Sequence, residues 1–464
     1  MTELQEIWQR AYEIVPTQLR RMSEVERAVT AFNTNIDAVV KINGLRLAEL
    51  AREVGLTAAD LHSTETKLKT PKDVVRGIIK CFASGIAEEW LCEDKRVYAW
   101  MRDNLGYDRL QMGGQAGIVA NVLAVAGVQK VLVHTNSHPK LQAEQFVDAD
   151  NLLATETDGT VRKACAINRA EDEPLIHWII EFDAGDVAVY GDEVFVCPKA
   201  NRFIATYDTA NIELKINAGF VNYLNQNGFD YMILSGFHAL TAERGGVERI
   251  AAVMPLIHQW KKQNPTGIIH LEVASTQDKI VRAAIMNKLA PIVDSIGLNE
   301  REAMDALEVV EPEMFAALEG APLPAPVLFD VMLKLKEKLK TPRIQLHFFG
   351  MYLTLQNKGF VITPQANKRG MMLAATVAAS KAGTGSIESR DNLLWAHGRR
   401  IGAVAEDNLH RLSWYLAAPE IETDGITSYD DMDLIAVPTI LVDKPKTLVG
   451  MGDTISSVSL VGAR

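Results

Sequence analysis

Val449-Gly450-Met451-Gly452-Asp453-Thr454-Ile455-Ser456-Ser457 is the stretch on which the reading of this chain turns. A β-branched apolar run, Thr439-Ile440-Leu441-Val442, precedes it and reads as a strand. The small, Ser-rich segment after the glycines reads as a helix that begins in the Gly-Met-Gly-Asp turn. Such a helix start gathers free N–H groups and the positive end of a dipole, which suits phosphate. Gly450 and Gly452 let the main chain approach an anion closely. A carboxylate beside an anion site is electrostatically costly unless it has a task. Asp453 is placed to take a proton from a hydroxyl that attacks phosphorus. The same letters also fit a glycine turn with Asp453 as an ordinary N-cap, and alone the stretch favours neither.

Upstream of this turn, from Asp230 onward, apolar strands alternate with amphipathic helices. The strands are expected at residues 231–235, 267–273, 292–298, 344–349 and 439–442. Helices are expected at 247–263, 277–289, 299–307, 326–340, 369–382 and 406–416, with surface loops at 310–326 and 417–438. This alternation predicts a mostly parallel sheet covered on both faces. His270 and Glu272 share a face at the C-terminal end of one strand, where open α/β sheets bind ligands. Glu272 suits Mg²⁺, which keeps its water and takes few carboxylates. Asn299 and Glu302 share a helix face, although an N-cap with its capping-box partner explains their spacing fully. Ser235-Gly236-Phe237-His238 ends another strand.

The N-terminal half is less regular. Residues 3–28 carry helical spacing broken near Pro16. Ala28 to Asp37 reads as one strand whose Asn33, Asn35 and Asp37 point together, a set suited to a polyhydroxylated ligand or to an Asx-rich turn. Gly113-Gly114-Gln115 opens a helix. Residues 38–112 are mostly helical and 152–208 are short strands, so the two blocks together predict a small second domain. The large domain is then 1–37, 113–151 and 222–464, and the small one 38–112 and 152–221. Lys199, Asn201 and Arg202, with Arg162 and Lys163, form the best basic cluster there and suit a phosphate.

At 464 residues, 48% of them apolar and 23% charged, the chain is globular, with an ample core. A net charge of −11 argues against nucleic acid or an anionic membrane as partner. Cys81, Cys92, Cys165 and Cys197 form no metal spacing and no disulfide framework, so a reducing cytoplasm is expected. The acidic start lacks a signal-like apolar run, and no apolar run is long enough to span a bilayer. Neither a P-loop nor a dinucleotide fingerprint is present.

Seven stretches, in order along the chain, resemble the archaeal ADP-dependent sugar kinases of the phosphofructokinase and glucokinase group. They are Ala31-Phe32-Asn33-Thr34-Asn35-Ile36-Asp37-Ala38, Gly113-Gly114-Gln115-Ala116-Gly117, residues 176–182, Ala200-Asn201-Arg202-Phe203-Ile204, residues 270–276, residues 294–302 and Val449 to Ser457. The resemblance implies a ribokinase-like α/β fold with a smaller α+β lid, Mg²⁺ as cofactor, and ADP as phosphoryl donor. It makes Asp453 the catalytic base and Gly450, Met451 and Gly452 the anion hole. Glu272, Glu302 and Asp453 would place the metal. Asn35, Asp37, Gly114 and Gln115 would hold sugar hydroxyls, and Arg202, with Lys199 and Asn201, a phosphate. Met451 stands where Leu is common in the family, and Val458 where Gly is common; neither removes a main-chain donor. Fructose 6-phosphate is the first expected acceptor, because Lys199 and Arg202 offer a second anion site. Glucose is the alternative, favoured in this family by an acidic lid residue, here Glu88 or Glu89. A regulator that kept the fold without the chemistry is a third reading; the intact Asp453, Glu272 and glycine turn weigh against it.

Overall fold

The structure, a computed structural model, describes residues 2–464. In chain order its strands begin with β1 (Ala28–Ala31), β2 (Asn35–Lys41), β3 (Glu88–Leu91), β4 (Arg109–Gly113), β5 (Val131–Val133) and β6 (Leu152–Thr155). There follow β7 (Val161–Lys163), β8 (Ile176–Phe182), β9 (Val187–Tyr190), β10 (Glu193–Val196), β11 (Asn201–Tyr207) and β12 (Tyr231–Leu234). The last are β13 (Ile268–Glu272), β14 (Ser295–Asn299), β15 (Arg343–Phe348), β16 (Met351–Asn357), β17 (Ile426–Tyr429) and β18 (Met432–Pro438).

One sheet of eleven strands has the order β17-β18-β16-β15-β14-β13-β12-β1-β5-β6-β7. Its middle, from β15 to β6, is parallel. Both ends are antiparallel. Tyr231–Leu234 and Arg343–Phe348 are buried along their whole length, as strands covered on both faces must be. The α/β class with a mostly parallel central sheet is therefore as expected.

Several local expectations are corrected. Thr439–Val442 is not a strand. The last strand is β18, seven residues earlier, and its ladder stops at Pro438 because its partner β16 begins at Met351. Beyond that point Thr439 N donates to Gly350 O at 2.9 Å, in the turn before β16, and the ladder does not continue. The loop expected at 417–438 instead holds β17 and β18, and that at 310–326 holds the helix Pro312–Leu318. The strand expected over 28–37 is two strands in two sheets: β1 ends at Ala31, and β2 starts at Asn35. Asn33 lies on the crossing between them, so it does not share a strand face with Asn35 and Asp37.

The second sheet has the order β3-β11-β8-β2-β4. Alternation gives it one apolar face and one polar face. Ile36, Ala38, Trp90, Trp178, Ile180, Phe203 and Ala205 belong to a core of their own beside the helix Pro71–Ser84. The opposite face carries Asp37, Glu89, His177 and Thr206, set side by side by the register. Segment 152–221 is divided between the sheets. Its β6 and β7 pair in the large sheet, and Ala164, Ile167, Leu214 and Phe220 pack in the large core. Strand propensity marks a segment as β but does not name its partner.

Candidate active site

Gly450 adopts a left-handed conformation (φ 62°) and caps the helix Met451–Val461. A Cβ there would stand 2.7 Å from Ile118 Cδ1 and 3.1 Å from Lys381 Nζ, so glycine is required. Among the described residues, the N–H groups of Met451, Gly452 and Asp453 have no main-chain acceptor outside the helix, as at any helix start. Asp453 Oδ1 accepts from Gln115 Nε2 at 2.8 Å, and Gln115 Oε1 accepts from Gly236 N at 3.2 Å. Gln115 thus ties the carboxylate to the end of β12. Burial raises the Asp453 pKa, against the pull of Gln115, Lys381 and His238.

Glu272 and His270 share the face of β13 expected from their spacing, and His270 Nε2 lies 3.1 Å from Glu272 Oε2. Burial and then the charges of Asp453 and Glu302 hold Glu272 well above the usual carboxylate range. Burial and then Arg343 and His347 hold His270 well below the usual histidine range, so it is neutral. Asn299 and Glu302 do form the capping box: Asn299 N donates to Glu302 Oε2 at 2.8 Å, and Glu302 N to Asn299 Oδ1 at 3.0 Å. Yet Glu302 is buried and its pKa is pushed up to about 8, chiefly by desolvation, with Asp453 adding to it. The cap and a buried carboxylate of raised proton affinity therefore coexist in one side chain. Two buried imidazole nitrogens near this cluster, His238 Nδ1 and His347 Nδ1, have no partner within the protein.

On the second sheet, Asn35 Nδ2 donates to Asp37 Oδ1 at 3.0 Å. Gly113 and Gly114 press against this pair. A Cβ on Gly113 would be 2.2 Å from Asp37 Oδ1, and one on Gly114 2.7 Å from Asn35 Oδ1. His177 Nε2 lies 3.1 Å from Asp208 Oδ2, and Thr206 Oγ1 donates to Glu89 Oε1. Burial raises Asp37 to about 6, against the nearby His177. For His177 burial works toward the neutral form, but Asp208, Glu89 and Asp37 outweigh it and raise the pKa.

Three sequence expectations fail on position. Glu88 lies on the other face of β3 from Glu89; it pairs with Lys80 and accepts from Trp90 Nε1, which removes it from the sugar set. Arg162 and Lys163 lie on β7 of the large sheet, where Lys163 bonds Asp148 and Asp150. They form no cluster with Lys199. Asn201 Nδ2 donates to Gly85 O at 2.9 Å. Arg202 is exposed on the polar face, four residues along β11 from Thr206, or about 13 Å. His177, Asp208 and Lys381 belong to no motif or spacing that the sequence analysis identifies as a site. Two of them have a signal: a histidine among apolar residues on β8, and a single charge in the apolar stretch 370–382 of the helix Pro364–Thr384.

Residues 26–462 match the conserved region described as ADP-specific phosphofructokinase/glucokinase. The chain belongs to this family. An ADP-dependent glucose/glucosamine kinase of Pyrococcus abyssi is 32% identical over 98% of both chains. An ADP-specific phosphofructokinase of Thermococcus zilligii is 28% identical over 92% of this chain and 93% of its own. The structure of the last common ancestor of ADP-dependent phosphofructokinases from Methanosarcinales superposes with a TM-score of 0.84 (28% identity, 98% of both chains). An ADP-dependent kinase in complex with fructose-6-phosphate and ADPβS superposes with a TM-score of 0.82 (27% identity, 100% of this chain and 98% of that one). Among the described residues no helix is long and apolar enough to cross a membrane.

Proposed function

We propose that the protein transfers the β-phosphoryl group of ADP to a sugar hydroxyl, releasing AMP, with fructose 6-phosphate as acceptor. The observation that carries the transfer is Asp453, fixed by Gln115 beside the free amides of Met451 and Gly452. In this reading the sugar lies against Asn35, Asp37, Gly114 and Gln115. Its hydroxyl gives its proton to Asp453 as the oxygen bonds phosphorus, and the amides receive the charge on the phosphoryl oxygens. The smaller sheet acts as a lid that keeps water from the phosphoryl group. Relatives named ADP-specific phosphofructokinase support this acceptor, as do the free cations Lys199 and Arg202.

The residues fit Mg²⁺. Burial raises the proton affinity of Glu272, Glu302 and Asp453, the charge of Asp453 adds to it at Glu272 and Glu302, and that of Glu302 adds to it at Glu272, which marks a shortage of positive charge. Among the described residues no three His, Cys, Asp or Glu side chains converge closely enough to bind a metal directly. Glu272 and Glu302, with Asp453, would thus hold a hydrated ion, as Mg²⁺ prefers. When bound, the ion neutralises phosphate charge.

Glucose is the second reading, favoured by Glu89, whose carboxylate stands beside His177 on the polar face. Assay of ADP with each sugar, with AMP as readout, separates the two. Turnover of glucose without turnover of fructose 6-phosphate reverses the order. No AMP with either sugar leaves a binding protein.

A further inference from the structure

Between Gly370 and Ala382 every residue of the helix Pro364–Thr384 is buried, and only Lys381 is charged. An ammonium group leaves water only where it finds partners. Lys381 Nζ donates to Gly450 O and to Thr454 Oγ1, both at 3.2 Å. Thr454 Oγ1 donates to the same carbonyl at 2.7 Å, and Thr454 N at 3.1 Å. One carbonyl oxygen therefore takes three donors.

That carbonyl belongs to the peptide whose nitrogen is Met451 N. In a trans peptide, C=O and N–H point in opposite directions. Drawing Gly450 O toward Lys381 turns the Met451 N–H away from it, toward the side where phosphate would lie. A positive donor on the oxygen also polarises the peptide, which strengthens its N–H as a donor. The left-handed turn at Gly450 leaves room for the ammonium, since a Cβ there would stand 3.1 Å from Nζ. Burial lowers the Lys381 pKa to about 8, and the charges of Asp453 and Asp37 oppose that fall.

We propose that Lys381 is a positioning residue for phosphoryl transfer, which acts through the Gly450 carbonyl to aim and polarise the Met451 N–H. It reaches no substrate itself. The inference rests on the reading of residues 450–452 as an anion hole.

Lys381 also borders a cavity of ≈ 600 Å³ lined by Gln111, Asn121 and Lys446, so a larger cation has space. The test compares the parent with K381M, K381R and T454V, measuring kcat and both KM values by AMP release. Loss of one aligned oxyanion donor costs about 10²-fold or more in kcat. K381M should lose roughly 100-fold in kcat, with both KM values within about threefold of the parent. K381R should recover to within about tenfold of the parent, because it restores the cation. A loss in K381M that falls on KM alone, or equal losses in K381M and K381R, reduces Lys381 to packing and overturns the proposal. If K381M does not fold, T454V decides. It leaves the lysine and removes one donor, and it should lower kcat by about tenfold at unchanged KM; unchanged kcat overturns the proposal. A parent that forms no AMP overturns the kinase reading together with this one, whereas an active parent with an unaffected K381M overturns this one alone.

Discussion

On the smaller sheet, Asp37, Glu89 and Asp208 surround a histidine whose pKa they raise. On the larger sheet, Glu272, Glu302 and Asp453 have His270 and His347 for neighbours, both held below the usual histidine range by burial first. The first group holds a histidine that its acids favour in the charged form, with its carboxylate and imidazole groups set on one face of the sheet. The second keeps a surplus of acid, relieved in part by Gln115, Lys381 and His238 near Asp453 and by Ser456 and Arg343 near Glu272. Buried like charges stay apart or find a counter-ion. On the proposed reading, the contrast fits one wall to an uncharged sugar ring and the other to a phosphate that arrives with a cation.

The largest effect should come from the proposed base. Asp453→Asn keeps the bond geometry to Gln115 but removes the proton acceptor, so kcat should fall by roughly 10³-fold while ADP affinity by calorimetry stays within about threefold. Retained turnover would move the chemistry to the other wall. Next is Glu272→Gln, which removes one charge from the acid surplus. It should raise the Mg²⁺ concentration for half-maximal activity by about 10–100-fold, read from metal titration at saturating ADP. An unchanged Mg²⁺ requirement would mean that the surplus is not a metal site.

The join between the walls should respond to acid. His134, buried, lies 2.7 Å from Phe32 O on the crossing between β1 and β2, and Asn217 N donates to its other nitrogen. Burial lowers the pKa of His134, and of His138 nearby, to about 4. Both lie below the unfolded value of about 6.5, so the unfolded chain binds more protons between these limits. Stability is then full above about pH 6.5 and is lost as pH falls toward 4. Each histidine should account for about 2 kcal/mol between pH 7 and 5 in denaturant titrations. A flat profile there would show that the crossing does not depend on neutral histidines. The smallest effect is on choice of sugar. Glu89→Ala removes one charged acceptor from the polar face and should shift the ratio of glucose to fructose 6-phosphate turnover down by about tenfold. No shift would leave the acceptor choice to the Arg202 end of the lid.

What could be read from the letters depended on how local the cause was. The strands at 231–235 and 344–349 were legible because both faces are buried, which writes a continuous apolar run. The Asn299–Glu302 box was legible as a cap, since its two hydrogen bonds span three residues. Its burial was not, because that comes from the packing of the helix Glu300–Val310 against β14, β15 and the helices around it. Glu88 and Glu89 are neighbours of one type, and only their register against Phe203 and Ile204 shows which meets the polar face. The block that holds β6 and β7 reads as strand-rich, but neither strand nor its place in the large sheet is legible in it.

The sequence by itself determined the turn at Gly450–Asp453, the alternating helices and strands, and the family, because propensity, glycine freedom and spacing act over a few residues. Tertiary structure alone decided that Gln115 holds Asp453, that His177 stands among three acids, and that Lys381 reaches Gly450. Those partners lie 338, 31 and 69 residues apart in the bonds recorded for them. Nothing short-ranged brings such groups together; the packing of helices on two sheets does, and it also sets the burial that shifts their charge.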